Sequence, residues 1–245
     1  MDPKPRSLLT IPAAIIIAAA IIAVTLIYIL KPSSRAPAAA AQAVTPQVSM
    51  APVTAADHIF GNPNAEIKIV EYSDPSCPYC KMFNPTMYQV MANYGATGQV
   101  AWVYRHFPLD KPDQNGHVLH PNAGHEAQAL ECAASLGGND KFWAFEKKLY
   151  ETTPSVTPDS PNGLDQTQLP VIAKAVGLDT VSFNECLSSG QFKDKVEAQF
   201  VDGLNAGVTG TPYIIILTPS GSKIPLVGSQ TYTTMKTAID ALIAG

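Results

Sequence analysis

Hydrophobic and polar positions follow three different regimes along the chain. Ile11–Leu30 (IPAAIIIAAAIIAVTLIYIL) is an apolar run, and no charged side chain occurs from Ser7 to Leu30. At helical rise, twenty residues cover roughly 30 Å, the thickness of a bilayer's hydrocarbon core. A secretory signal carries only about 7–15 apolar residues, so the expectation is a transmembrane anchor at 11–30. The small-residue triplet Ala41-Gln42-Ala43 keeps a cleaved signal as the alternative. From Lys31 to Ala56 the pattern dissolves into nine alanines and four prolines with little else. Such a stretch cannot bury enough apolar surface to offset its ordering entropy. It reads as a semi-extended Ala/Pro-rich linker.

From Asp57 onward, strand and helix periods alternate. Ile67–Tyr72 (IKIVEY) and Val100–His106 (VAWVYRH) read as buried strands, with a helix from Cys77 to about Tyr94 between them. Helical periodicity then dominates in Ala123–Ser135, Lys141–Tyr150, Gln166–Ala175, Val181–Ser188 and Gln191–Ala206. Tyr213–Leu217 and Ser222–Val227 read as a hairpin across Thr218–Gly221, followed by a last helix from about Thr231 to Ala244. The order β, α, β, several helices, β, β, α predicts an α/β fold with a helical insertion at about 115–206. The expected organisation is a short cytoplasmic tail (1–10), the anchor (11–30), the linker (31–56) and one domain (57–245).

Composition narrows the function classes. Hydrophobic residues make up 46% and charged residues 15% of the 245, which excludes a disordered polyelectrolyte. Net charge is −4, and from Asp57 onward 12 Lys and Arg face 19 Asp and Glu, so no nucleic-acid partner is expected. Four cysteines are too few for a disulfide-dense scaffold. Lys4 and Arg6 precede the apolar run while Lys31 and Arg35 follow it, a near balance for the positive-inside rule. The short tail and the thiol chemistry favour an N-terminus inside and a domain outside.

That chemistry centres on Cys77-Pro78-Tyr79-Cys80. Strand Ile67–Tyr72 runs through Ser73-Asp74-Pro75-Ser76 into Cys77 at a helix start, and Pro78 suits the first helical turn. Unpaired backbone N–H groups and the helix dipole there lower a thiol's pKa. Cys80 lies one turn on, close enough to pair with Cys77, so that one sulfur attacks and the other resolves. The competing reading is half a zinc site completed by His117-x-x-His120. A cysteine that follows a strand and opens a helix disfavours it, and no metal is expected.

Two segments carry a resemblance. Glu71-Tyr72-Ser73-Asp74-Pro75-Ser76-Cys77-Pro78-Tyr79-Cys80 and Gly207-Val208-Thr209-Gly210-Thr211-Pro212-Tyr213 resemble the DsbA-like family of thiol–disulfide oxidoreductases. The likeness extends over about residues 57–245, including Tyr104-Arg105-His106-Phe107-Pro108-Leu109, and leaves out the anchor and linker. It implies a thioredoxin-like fold with an inserted helical subdomain and a redox-active disulfide in place of a cofactor. It assigns Cys77 as nucleophile, Cys80 as resolving thiol and Pro212 as a cis-proline beside the disulfide, with the Thr211 backbone turned toward an incoming chain. Related enzymes place a buried acid at the position of Glu71, where it relays the Cys80 proton; a solvated edge glutamate is the alternative. The family's strong oxidases have histidine where this chain has Tyr79. The resemblance further implies reduced exported proteins as substrates and a quinone-linked membrane oxidase as redox partner.

Cys132 and Cys186 fall in two different insertion helices, and an exported compartment permits a structural disulfide between them. Two buried free thiols are the alternative. His106, His117, His120 and His125 read as surface or capping histidines, and Phe142, Trp143 and Phe145 as core packing. Tyr79, Phe83 and Tyr213 are candidates to line a peptide-binding surface. The functional expectation is a membrane-tethered, extracytoplasmic oxidase of protein thiols. The rivals are a reductase or isomerase using the same cysteines, and a tethered metal-binding or chaperone module.

Overall fold

In the computed structural model, which describes residues 48–154 and 163–244, β1 (His58–Gly61), β2 (Ile67–Ser73), β3 (Val100–His106), β4 (Tyr213–Leu217) and β5 (Lys223–Val227) form one sheet in the order β1-β3-β2-β4-β5. β2 and β3 are parallel, with Ile67 opposite Val100 and Ser73 opposite His106. The other three pairings are antiparallel. The strand ends carrying Ser73, His106, Tyr213 and Val227 therefore lie together at one edge, where the loops bearing the chemistry converge.

Alternation along β2 sorts its side chains between two apolar layers. Ile67 and Ile69 join a core with Phe83, Met87 and Val90 of α1 (Pro78–Val90) and with Leu130, Phe142 and Phe145 of α2 (Ala123–Thr152). Met235 and Ile239 of the last helix, Tyr232–Ala244, complete that layer. Val70 and Tyr72 face the other way, onto Val48, Met50, Phe107, Ala206 and Val208. Gly203 permits that packing, because a Cβ there would meet the Phe107 ring at 2.5 Å. Buried Arg105 fastens the segment before β1, donating to the carbonyls of Ala51 and Pro52 (both 3.0 Å) and from Nε to Asp57 (2.8 Å).

Helices α3 (Leu169–Ala175), α4 (Thr180–Ser189) and α5 (Lys193–Ala206) follow α2 between β3 and β4, so the helical insertion interrupts the sheet's chain order as expected. The two helices expected at Ala123–Ser135 and Lys141–Tyr150 are present within α2, separated at Gly138, whose non-helical backbone (φ 76°, ψ −172°) is open to glycine at little cost. Two other features differ from the sequence reading. α1 gives way at Met91 to a π-helical turn, Met91–Gly95. β1 had no signal: His-Ile-Phe-Gly is a four-residue edge strand with no alternation to detect. Among the described residues no helix is long and apolar enough to cross a membrane. The span expected at 11–30 lies outside the described residues.

Candidate active site

β2 delivers the chain to the sheet edge, and the turn Asp74–Ser76 redirects it into α1. Cys77 precedes the first helical residue with extended dihedrals (φ −74°, ψ 123°), and Pro78 occupies the first helical position. One residue organises this turn. The Asp74 carbonyl accepts from the Cys77 N–H (3.0 Å), and the Asp74 N–H points at the Cys80 sulfur (3.5 Å). The Asp74 carboxylate accepts from the backbone of Ser76 (2.7 Å) and Leu109 (2.8 Å) and pairs with His120 Nδ1 (2.8 Å).

Cys77 and Cys80 carry free thiols, both buried, with Cys80 the deeper. Their environments push them apart. The Cys80 side chain hydrogen-bonds Cys77 and is the largest cause lowering the Cys77 thiol to about 6; burial opposes this, and Thr211 and the Cys80 backbone assist. Cys80 is raised well above its ordinary value by burial, then by the neighbouring Cys77. The peptide bond between Thr211 and Pro212 is cis, and the Thr211 carbonyl lies 3.4 Å from Cys77 Sγ.

Glu71 shares its β2 face with Ile67 and Ile69 and is 2% exposed. Ser73 Oγ (2.7 Å) and Trp102 Nε1 (3.0 Å) donate to its carboxyl. Burial outweighs those bonds and raises its pKa to about 7. A carboxyl poised there can hold or release a proton near neutrality. Its charge also contributes to raising Cys80.

Beside the Thr211 loop the surface is open. Tyr79 and Met82, 60% and 65% exposed, form one wall of a groove of about 710 Å³. Thr211 and the turn Gly228–Tyr232 form the other. Phe83 and Tyr213, expected to share such a surface, are buried in the two core layers instead, because their positions on α1 and β4 face inward. Cys132 and Cys186 are joined by a disulfide (S–S 2.03 Å) that ties α2 to α4, far along the chain from Cys77.

The histidines need correction. His117 and His125 are exposed, but His106 and His120 are buried. His106 Nε2 and His58 Nε2 both lie 3.0 Å from Glu131, which Lys195 also approaches at 2.7 Å. The strand ending in His106 points its last residue into the sheet's helical layer, and β1, missed from sequence, brings in His58. Among the described residues no cluster of His, Cys, Asp and Glu is arranged to hold a metal ion.

Sequence reasoning also missed Glu126, Tyr150 and the role of Asp74. Ser76 Oγ (2.7 Å) and Gln166 Nε2 (2.8 Å) donate to Glu126, whose pKa burial raises to about 7. Tyr150 OH donates to the Asp74 carbonyl (3.1 Å). The only available signal was Asp74 itself, three residues before a helix start in a Ser/Asp/Pro turn.

A parallel β-pair leading into a dithiol at a helix start, faced by a cis-proline loop, defines a thioredoxin-fold dithiol domain. The profile of the thioredoxin family matches residues 53–241. The chain belongs to that family, and the solved structures it resembles include DsbA-like proteins. BdbD from Bacillus subtilis superposes with a TM-score of 0.66 at 22% identity, covering 81% of this chain and 98% of that one. DsbA2 from Pseudomonas aeruginosa gives 0.60 at 25%, covering 78% and 97%. In sequence, the chain is 28% identical over 162 residues to the Na(+)/H(+) antiporter NhaA 1 of Mycolicibacterium gilvum. That match covers 64% of this chain but only 23% of the antiporter, so the chain spans less than a quarter of that relative.

Proposed function

We propose that the protein oxidises thiol pairs in exported proteins, passing on the disulfide formed between Cys77 and Cys80. The observation that carries this reading is the arrangement of the two thiols. Cys77 sits at the helix start, 3.4 Å from the Thr211 carbonyl of the cis-proline loop, and Cys80 is fully buried, which drives their ionisation apart. A substrate thiolate attacks Cys77 Sγ of the disulfide, and Cys80 leaves and takes up a proton. A second substrate thiolate then attacks the substrate sulfur of the mixed disulfide and releases Cys77 as thiolate. Two electrons pass to the enzyme pair, and the substrate gains a disulfide. Glu71, buried and with its pKa raised to about 7, is the proposed donor of the Cys80 proton. A quinone-linked membrane oxidase is the proposed acceptor that restores the disulfide.

The stability of the product favours that direction. A thiol with pKa near 6 is roughly nine-tenths ionised at pH 7, which stabilises the reduced pair by about 1.4 kcal/mol, or about 30 mV for two electrons. Stabilising the reduced form makes the disulfide the stronger oxidant. The groove beside Tyr79 and Met82 suits an extended peptide, held by main-chain contacts without strict sequence demands. The apolar run Ile11–Leu30 and the linker after it support tethering at the membrane, with the domain on the outer side.

The test is trapping with oxidised glutathione. The Cys80→Ser protein should form a stable mixed disulfide through Cys77, while Cys77→Ser should form none. Equal trapping by both variants would remove the assignment of roles.

A further inference from the structure

Asp74 poses an electrostatic problem for the dithiol it organises. Its carboxylate is fully buried and has two backbone donors, Ser76 and Leu109. A buried carboxylate calls for a countercharge. Its field acts on Cys77 so as to disfavour the thiolate. Among the described residues its ion pair is with His120, Nδ1 to Oδ2 at 2.8 Å.

His120 reaches that position because the long loop after β3 closes on itself there. The His120 N–H donates to the Leu109 carbonyl (2.9 Å), and the Ala123 N–H to the His120 carbonyl (3.1 Å), where α2 begins. The charged groups facing its ring are Asp74 and Cys77 from the β2–α1 turn and Glu126 from α2. Asp110 and Lys111 lie earlier in the same loop, where Lys111 and Asp74 act on Asp110 with opposite signs.

We propose that His120 is a positioning residue of the redox centre: its imidazolium, held on Asp74, cancels the carboxylate charge that faces Cys77 and thereby keeps Cys77 ionised. The inference rests on the reading that Cys77 is the attacking thiol. Burial lowers the His120 pKa, but the hydrogen bond and charge of Asp74 outweigh it, and the Cys77 charge adds to the rise. Coupling free energies are reciprocal, so a thiolate that favours the imidazolium is favoured by it to the same extent. His120 and Asp74 must therefore act on Cys77 with opposite signs, which a role in holding the loop would not produce.

Two titrations of the full protein test this. The first follows thiolate absorbance of the reduced protein, with Cys77→Ser as the blank. His120→Asn, which keeps a donor for Asp74 but not the charge, should raise the Cys77 midpoint by about half a unit or more. Asp74→Asn should lower it. The second follows the His120 ring by NMR in the unsubstituted protein, so no variant has to fold. Its midpoint should be higher in the reduced than in the oxidised protein, because only the reduced form carries the thiolate. Shifts of the same sign in the two variants, or a His120 midpoint indifferent to redox state while Cys77 titrates near 6, overturn the role of His120 alone. An ordinary Cys77 midpoint in the unsubstituted protein overturns the reading beneath it.

Discussion

The Thr211 carbonyl lies 3.4 Å from Cys77 Sγ, and the hydroxyl of the same residue is buried with no hydrogen-bond partner among the described residues. The protonated thiol donates to that carbonyl. Once Cys77 ionises the donor is gone, and the Thr211 hydroxyl is the group nearby that can turn to the sulfur. An unsatisfied buried hydroxyl in one protonation state thus becomes a donor in the other.

Replacing that hydroxyl should therefore act on ionisation rather than on folding. Thr211→Val is expected to raise the Cys77 pKa by roughly one unit and to make the protein a weaker oxidant. Thr211→Ser should behave like the unsubstituted protein. Alkylation rate against pH measures both, and an unchanged profile for Thr211→Val would show that the hydroxyl plays no part.

Glu71 predicts two pH effects with different origins. As a proton donor to Cys80, it should impose an inflection near pH 7 on the step that releases Cys80. Glu71→Gln should remove the inflection and slow that step by about tenfold or more. The stability effect has a definite sign. The folded-state pKa of about 7 lies above the ordinary 4.5, so the contribution is fully present below about pH 4.5 and is lost as pH rises through about 7. The loss is on the order of 3 kcal/mol when complete. Glu71→Gln should narrow the difference in Tm between mildly acidic and mildly alkaline solution; an equal difference in both proteins counts against a buried, proton-holding Glu71.

The disulfide between Cys132 and Cys186 closes a long loop, its ends 54 positions apart in sequence. Removing it by a double alanine substitution is expected to cost about 2–4 kcal/mol. Mild reductant should open Cys77–Cys80 first, because the lowered pKa of Cys77 makes it the better leaving group and stabilises the reduced pair. Peptide mapping after graded reduction checks the order, and loss of the Cys132–Cys186 link first would contradict it.

Periodicity made most of this fold legible. β2, β3 and β4 carry runs of apolar residues, and the long helices carry clear stripes, so local pattern and final environment agree. The edge strand His58–Gly61 was invisible because its pairing with β3 depends on partners 40 to 46 positions away. Cys77 and Cys80 were legible because two-residue spacing at a helix start is a local property. His120 was not, since nothing around it in a polar Gly/Pro/Asn stretch announces Asp74, 46 positions earlier. His106 and His58 were obscure for the same reason: Glu131, their shared partner, comes from α2.

The central claim is that ionisation of Cys77 stabilises the reduced pair and so makes the disulfide an oxidant. The most direct measurement is the reduction potential of the protein, equilibrated with glutathione buffers across a range of pH. Below the Cys77 pKa two protons accompany two electrons, and the potential should fall by about 59 mV per pH unit; above it one proton does, and the slope should halve to about 30 mV. A break near pH 6 is the expected result. A single unbroken slope through pH 6, with a potential below about −250 mV, would contradict it and identify a reductant.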